Sequence, residues 1–478
     1  MQEFIGREQE LDLLNQLFKR GDATITVIKG RRRIGKSRLV EEFAKGKRFL
    51  NFSGAAPIEG ITAQDERDEF CRQLAQHIKK PLQFFSDWSD VFHYFLDQLT
   101  DEPTVILFDE ISWMASKDPK FIPKFKIWWD QHLSKRKNLM LVFSGTISTW
   151  VEKNIIKSKA FLGRISLRMV MEPLSLPDCA KFLKKKGFRG EAHDIYRILC
   201  ITGGIPFYLE QIDPDFTAEA NIKRLCFEKN GLLVSEFDMI FHDLFNGDGP
   251  SHKKIMEILA NEMKTFDQIK NEFKELPVKD LKEKIDNLVI CGFIRKHNQW
   301  SLKTKKETTQ KLYGLSDSYI RFYLRFIEPR RGEIESKKAM RGSKINVPGF
   351  DSIIGLAMEA LLIENSHLIV EELDISPADI AFSNPYTQKA SPKHKGCQID
   401  YLIQEYSYRI FACEFKFRNR EIKMDIIDEM EEKLNRISFP LRTAVLPVLL
   451  HISGVKPDIV DSRYFYKIID IENFLKHA

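Results

Sequence analysis

A chain of 478 residues that is 43% hydrophobic and 30% charged has the make-up of a globular protein. At that length it exceeds what one hydrophobic core serves, so about two to four domains are expected. The formal charge of +6 is too small to imply a nucleic-acid partner by itself, although basic residues cluster in places. The seven cysteines show no C-x-x-C pair and no zinc spacing, which excludes a disulfide scaffold and reads as buried reduced thiols in the cytoplasm; no apolar run approaches the roughly eighteen residues of a membrane span, and the charged N-terminus has no signal-peptide pattern.

Phe4-Ile5-Gly6-Arg7-Glu8 leads into Leu11, Leu14, Leu17 and Phe18 at helical spacing. Ile25, Val27 and Ile28 then read as a buried strand. Gly30-Arg31-Arg32-Arg33-Ile34-Gly35-Lys36-Ser37-Arg38 follows and matches the phosphate-binding pattern G-x-x-x-x-G-K-[ST]. Leu39 to Phe43 continue as a helix. Strand, glycine loop and helix stand in the order that aims backbone N–H groups at phosphates. Gly30, Arg33, Ile34, Gly35 and Arg38 belong to the cradle. Lys36 would reach the β- and γ-phosphates, and the Ser37 hydroxyl would bind Mg²⁺.

Phe49 to Phe52 predicts a second strand, and Phe70 to Leu99 a helical region. Val105 to Phe108 is a buried strand ending in Asp109-Glu110, a Walker B pattern. Asp109 would hold Mg²⁺ through water, and Glu110 would polarise the attacking water as general base. Leu139 to Phe143 is another buried strand, followed by Ser144-Gly145-Thr146. Ser144, with Thr146 second, is either a sensor of the γ-phosphate or a capping residue. Arg164 is an arginine finger, a second sensor, or a surface residue in a turn.

From Leu176 to about Asn246 the pattern is helical, broken at Gly203-Gly204-Ile205-Pro206. Three short helical patterns follow, then two strands, Cys291 to Lys296 and Lys311 to Leu315. That order predicts a winged helix. Its wing is basic (Arg295, Lys296, Lys303, Lys305, Lys306, Lys311), which suits either phosphate contact or a solvated face. Ser316 to Phe326 predicts an aromatic packing helix. Glu328 to Lys344, with Arg330, Arg331, Lys337, Lys338, Arg341 and Lys344, predicts a linker.

After Pro348 the pattern changes. A helix around Ile354 to Leu361 carries Glu359, and Leu368 to Leu373 is a possible strand. Gln398 to Ile403 is a strand interrupted by Asp400. Tyr408 to Lys416 is a strand carrying Glu414-Phe415-Lys416, and strand alternation puts Glu414 and Lys416 on one face. Asp400 and Glu414 can hold Mg²⁺ or Mn²⁺ by oxygen, Lys416 can orient or help deprotonate a water, and Glu359 would complete the site. The other reading is a cross-strand ion pair on a sheet edge.

The pieces FIGRE, GRRRIGKSRL, VILFDE, GGIPFYL, YGLSDSYIRFYLRF, GCQIDYLI and ACEFKF together resemble prokaryotic AAA+/STAND-like ATPases of the archaeal type. The order helix, three strands, helix, strand around Asp400 and Glu414-x-Lys416 resembles the PD-(D/E)xK, restriction-endonuclease-like nucleases. The resemblance implies an α/β fold: a P-loop ATPase core with a parallel sheet (1–172), a helical lid (173–248), a winged-helix domain (249–327), a linker (328–347) and a nuclease-like domain (348–478). It also implies that Ile5 and Arg7 lie against the adenine and Pro206 near the base. The cofactors are then ATP with Mg²⁺, and Mg²⁺ or Mn²⁺ at the nuclease site; the partners are DNA and further copies of the chain. The expected function is ATP-driven or ATP-gated DNA cleavage, in DNA processing or defence against mobile DNA. The alternative is a STAND-like ATP switch that binds DNA or a protein through a non-cleaving nuclease-like fold.

Overall fold

The computed structural model describes residues 4–55, 60–146, 149–245, 249–273, 276–336, 349–388, 396–418 and 420–476. The chain divides into two compact units, Met1–Leu174 and Ser175–Ala478.

The first unit is built on five runs of β-branched and apolar residues: β1 (Thr24–Gly30), β2 (Arg48–Ser53), β3 (Thr104–Asp109), β4 (Leu139–Thr146) and β5 (Ile165–Met171). They form a parallel sheet in the order β2-β3-β4-β1-β5. Nearly every residue of β1, β3 and β4 is buried, as a parallel sheet covered by helices on both faces requires. β4 lies between the glycine-loop strand and the acidic strand. All five strands end at one edge, where Gly30 is level with Thr146 and Met171. That edge, where the strand order reverses, is where open α/β sheets bind ligands.

One core of this unit is aromatic. Phe92 and Trp128 stack at 4.7 Å, and Phe52 and Phe70 at 4.2 Å. Such pairs add roughly 0.5–1.5 kcal/mol each beyond area burial. The helical region expected over Phe70 to Leu99 is two helices, Ala63–Ile78 and Trp88–Leu96. Lys79 takes a left-handed φ of 53° and Pro81 follows, which ends the first helix. A capping box of Thr62 and Asp65 starts it.

The second unit opens with five helices between Leu176 and Phe245. Helices Gly249–Leu259, Phe266–Glu272 and Val278–Ile290 follow, with a three-stranded sheet of β6 (Lys264–Thr265), β7 (Ile294–Ser301) and β8 (Lys306–Leu315) in the order β6-β8-β7. The two expected strands are therefore longer than the sequence suggested. They turn through 302–305, where Lys305 has a left-handed φ of 49°.

This hairpin is not a free basic arm. Trp300 and Leu302 are buried in one core with Ile399, Leu402, Ile410 and Ala412. The Trp300 indole donates to Gln404 Oε1 at 2.7 Å, and the Gln404 amide donates to the Leu302 carbonyl at 2.9 Å. Lys305 donates to the carbonyl oxygens of Tyr406 and Ser407. Of the wing lysines, Lys305 is thus held by backbone carbonyls, while Lys303 and Lys306 are exposed.

The aromatic helix Ser318–Phe322 runs on as a wide turn over Tyr323–Ile327. It packs against helices Ala192–Thr202 and Phe350–Glu364. The expected linker is partly structured, because 328–335 is helical. Lys337, Lys338, Arg341 and Lys344 lie outside the described residues.

The C-terminal sheet has the order β13-β12-β11-β10-β9, formed by β9 (Ile380–Gln388), β10 (Cys397–Glu405), β11 (Arg409–Lys416), β12 (Ala444–His451) and β13 (Lys467–Asp470). β9, β10 and β11 run antiparallel. β12 joins parallel to β11 through the crossover helix Asp425–Arg436, as a parallel pair requires. Leu368 to Leu373, expected as a possible strand, lies instead in and just after the helix Ser366–Glu372, since a short apolar run fits either form. The first of the three strands is β9.

Candidate active sites

At the ligand-facing edge of the parallel sheet, Gly30 has no room for a side chain. A Cβ there would lie 2.9 Å from Ile34 Cγ2 and 3.0 Å from the Met171 carbonyl oxygen. Arg33 and Gly35 both have positive φ, 67° and 93°, which turns the loop into the helix Lys36–Phe43. Ile34 is fully buried and anchors the loop. Arg38 pairs with Glu41 at 3.4 Å on the helix surface. The Lys36 ammonium is curled under the loop, donating to the carbonyls of Gly30 and Arg31 at 3.3 and 3.2 Å, and lies 3.9 Å from Glu110. Burial pulls its pKa below the usual lysine range, with Glu110 and Asp109 opposing.

The Ser37 hydroxyl donates to Asp109 Oδ2 at 2.6 Å. Two oxygen donors at that distance, beside a phosphate-binding loop, are the donor set that Mg²⁺ takes with a nucleotide. Glu110 occupies a left-handed backbone position, φ 48° and ψ 51°, between β3 and the following helix. Its carboxylate accepts from the Thr146 N–H at 3.1 Å and from the Thr146 hydroxyl at 3.0 Å. Thr146 is thus the polar residue of β4 that meets the acid. Ser144, the first choice from sequence, is fully buried two residues back, and its hydroxyl has no hydrogen-bond partner among the described residues.

Arg7 also reaches this edge. It donates to the Glu172 carbonyl, just past the end of β5, at 2.5 Å, and to Glu10 at 2.9 Å. The segment Ile5-Gly6-Arg7 therefore lies beside the end of β5, whose Met171 pairs with Gly30. Arg164 does not reach it. It precedes β5 at the opposite edge, since Ile165 is level with Ile25, and six residue steps of about 3.3 Å separate Ile165 from Met171. Its guanidinium forks onto Asp130 at 2.7 and 2.8 Å. A sensor role on the chain's own nucleotide is corrected by that register.

Residues 4–212 match the family described as "ATPase domain predominantly from Archaea". The first unit is a P-loop ATPase domain. An uncharacterized protein of Methanocaldococcus jannaschii is 26% identical over 337 residues, 70% of each chain. The solved structure of a Walker-type ATPase of Pyrococcus abyssi aligns with a TM-score of 0.51 and 16% identity, over 68% of this chain and 96% of that one. The ORC2 protein of Aeropyrum pernix, solved in ADPNP–ADP complexes, aligns with a TM-score of 0.43 and 12% identity, over 70% of this chain and 96% of that one. The matched residues include Gly30 to Arg38, Asp109 and Glu110. Pro206 lies in the second unit, opening the helix Pro206–Glu210 after Gly203 and Gly204, which both have positive φ. No helix among the described residues is long and apolar enough to cross a membrane.

The C-terminal sheet carries a second polar centre. Glu359, Asp400, Glu414 and Lys416 all line one cavity of about 400 Å³, together with Arg418. The Asp400 carboxylate accepts the Phe415 N–H at 2.8 Å. Burial, then repulsion from Asp400, pushes Glu359 up to about 8. Burial, then Glu414, pushes Asp400 up to about 6. Glu414 is only 2% exposed and is held by two ammonium groups: Lys416 at 2.9 Å, and Lys433 at 2.7 and 2.5 Å from its two oxygens. Lys416 also donates to Glu429 at 2.8 Å.

The oxygen donors of Asp400 and Glu414 suit Mg²⁺ or Mn²⁺ by type. Among the described residues, however, no three His, Cys, Asp or Glu side chains are gathered as a metal site. Lys433 and Glu429 were missed in the sequence. They stand four apart on Asp425–Arg436, on the same side of the helix as buried Ile426 and Met430, and charged residues at that spacing among the apolar ones were the available signal.

Proposed function

We propose that the chain binds ATP with Mg²⁺ at the P-loop, hydrolyses it, and uses the nucleotide state to control a DNA-cleaving centre in the C-terminal sheet. The observation carrying the ATP half is the Ser37–Asp109–Glu110–Thr146 cluster at the loop. Lys36 would turn from the loop carbonyls to the β- and γ-phosphates, and Ser37 and Asp109 would hold the metal. Glu110 takes a proton from the attacking water while Thr146 fixes its carboxylate. Mg²⁺ supplies neutralisation of the phosphate charge. Ile5 and Arg7, beside the end of β5, line the adenine.

At the C-terminal cavity, Asp400 and Glu414 would hold Mg²⁺ or Mn²⁺, Lys416 would orient a water, and Glu359 would support it from the helix. The metal would stabilise charge on the scissile phosphate. The convergence of all four residues on one cavity supports this reading. The non-cleaving reading is favoured by a different observation, the double ammonium cover of Glu414. Incubating the purified chain with single- and double-stranded DNA, with Mg²⁺ or Mn²⁺ and with and without ATP, separates them. Cleavage supports the nuclease, and intact DNA under every condition leaves the switch.

DNA affinity is expected to fall steeply with salt, because phosphate contacts release counterions. With Lys305 engaged, the relevant variant is Lys303→Glu with Lys306→Glu. It should weaken binding to all sequences alike and flatten the salt slope by roughly one to two units in a filter or anisotropy titration. Unchanged affinity would leave the hairpin a purely structural part.

Arg164 stands outside its own nucleotide site, so any role in hydrolysis is played on a neighbouring copy. ATP turnover per chain is then expected to rise with protein concentration, and Arg164→Ala to lose turnover while keeping nucleotide binding. A flat specific activity, in a protein that sediments as a monomer, would leave Arg164 as the structural partner of Asp130.

A further inference from the structure

We propose that Lys433 is the resident counter-ion of Glu414, and that a divalent cation enters the C-terminal cavity only by displacing the Lys433 ammonium towards Glu429. The inference rests on the proposed reading of Asp400 and Glu414 as cation ligands. The Lys433 ammonium sits against both oxygens of Glu414, at 2.7 and 2.5 Å. That is the bidentate position a metal bound to this carboxylate would claim. An ammonium group and a divalent ion compete for the same lone pairs and repel each other at close range, so they cannot occupy it together.

Lys416 differs. Its shortest approach is to Oε1, at 2.9 Å, it comes from β11 itself, and it already shares its protons with Glu429. Removing Lys433 would free the position it holds against both oxygens, with Glu414 still partly neutralised by Lys416. The released ammonium has a place to go. Glu429 lies one turn earlier on the same helix, the spacing at which side chains meet. It is 42% exposed, whereas Glu414 is 2% exposed. Moving Lys433 therefore takes its charge from a buried carboxylate to a wetter one, which is the easy direction for desolvation.

The cavity thus holds its carboxylates at balanced charge without a metal. This gives a physical reason why three acids can converge there and yet not stand as a three-ligand cluster. The lysine then sets a threshold for cation occupancy, and the site's own ion pairs tune that threshold.

The test is Mn²⁺ binding by the full chain without nucleotide, measured by calorimetry and by the electron-spin signal of free Mn²⁺. Lys433→Gln is expected to bind Mn²⁺ at least tenfold more tightly than the parent, and adding Asp400→Asn should remove the gain. Lys433→Arg keeps the cation and should show no gain. Glu429→Gln removes the acceptor and should weaken Mn²⁺ binding severalfold, which keeps the idea testable if Lys433→Gln folds poorly. Parent-like affinity in both Lys433→Gln and Glu429→Gln overturns the displacement while leaving the cation site intact. A gain that survives Asp400→Asn, or no Mn²⁺ binding in any variant, overturns the cation reading of the cavity and the displacement with it.

Discussion

Glu110→Gln is expected to bind ATP as tightly as the parent and to hydrolyse it about 10²–10⁴-fold more slowly. The geometry makes this substitution a clean one. Thr146 donates both its N–H and its hydroxyl to the Glu110 carboxylate, and a glutamine carbonyl can still accept them. The left-handed backbone at 110 is set by the end of β3 and is unchanged by the swap. What disappears is the ability to take a proton. The Ser37–Asp109 pair that would hold the metal is untouched, so binding should persist. Phosphate release at saturating ATP, read beside nucleotide affinity, checks both halves. A variant that turns over ATP at the parent rate removes Glu110 from the role of base and points to a water held by other groups.

Asp400→Asn should abolish DNA cleavage and leave ATP hydrolysis near the parent rate, since Ser37, Asp109 and Glu110 belong to the other unit. An asparagine side chain can still accept the Phe415 N–H, so the strand pair survives. The same variant carries a stability signature. Folding raises Asp400 to about 6 and Glu359 to about 8, so their protonated forms are favoured in the folded chain. The stability tied to those protons is fully present below the unfolded carboxyl range near pH 4, and it is lost as pH rises through about 6 and about 8. The amide introduced by Asp400→Asn would carry no charge to repel Glu414 and Glu359. The metal-free variant should therefore melt higher than the parent, by a margin that widens from pH 5 to pH 8, and Mn²⁺ should narrow it. Cleavage that persists in Asp400→Asn would point to a contaminating nuclease. A margin that shrinks with pH would mean the carboxylates do not repel one another in the folded chain.

The ATPase half was legible because each of its parts is local. A glycine loop, a buried strand ending in two acids and a polar strand end each lie within a few residues, and sheet order brings them to one edge. Ser144 illustrates the limit. Strand alternation puts it on the same face as Thr146, and only the register with β1 shows which of the two reaches the end of the sheet. For Arg164 the register leaves a finger on a neighbouring copy or a surface residue in a turn, because a turn that precedes a parallel strand lies at the far edge from the loops that follow such strands. In the C-terminal sheet, Asp400, Glu414 and Lys416 could be read from two strands. Lys433 could not, because helix Asp425–Arg436 had to be folded back over β11 before Lys433 met Glu414. The hairpin's lysines gave no sign of where it packs. Trp300 and Leu302 beside them are apolar, and it is these that decide where the hairpin lies.

Trp300 has a consequence for the ancestry of the chain. Its indole fills the C-terminal sheet's core and donates to a buried glutamine on β10, so hairpin and sheet are complementary halves of one surface rather than beads on a string. A gene fusion that merely appended a ready-made C-terminal domain would have left both surfaces to be matched afterwards. A lineage that later shed the sheet would be left with a bare tryptophan and an orphaned hairpin face. Descendants that have discarded it should therefore have exchanged Trp300 for a polar residue, and the two segments should be inherited or lost together.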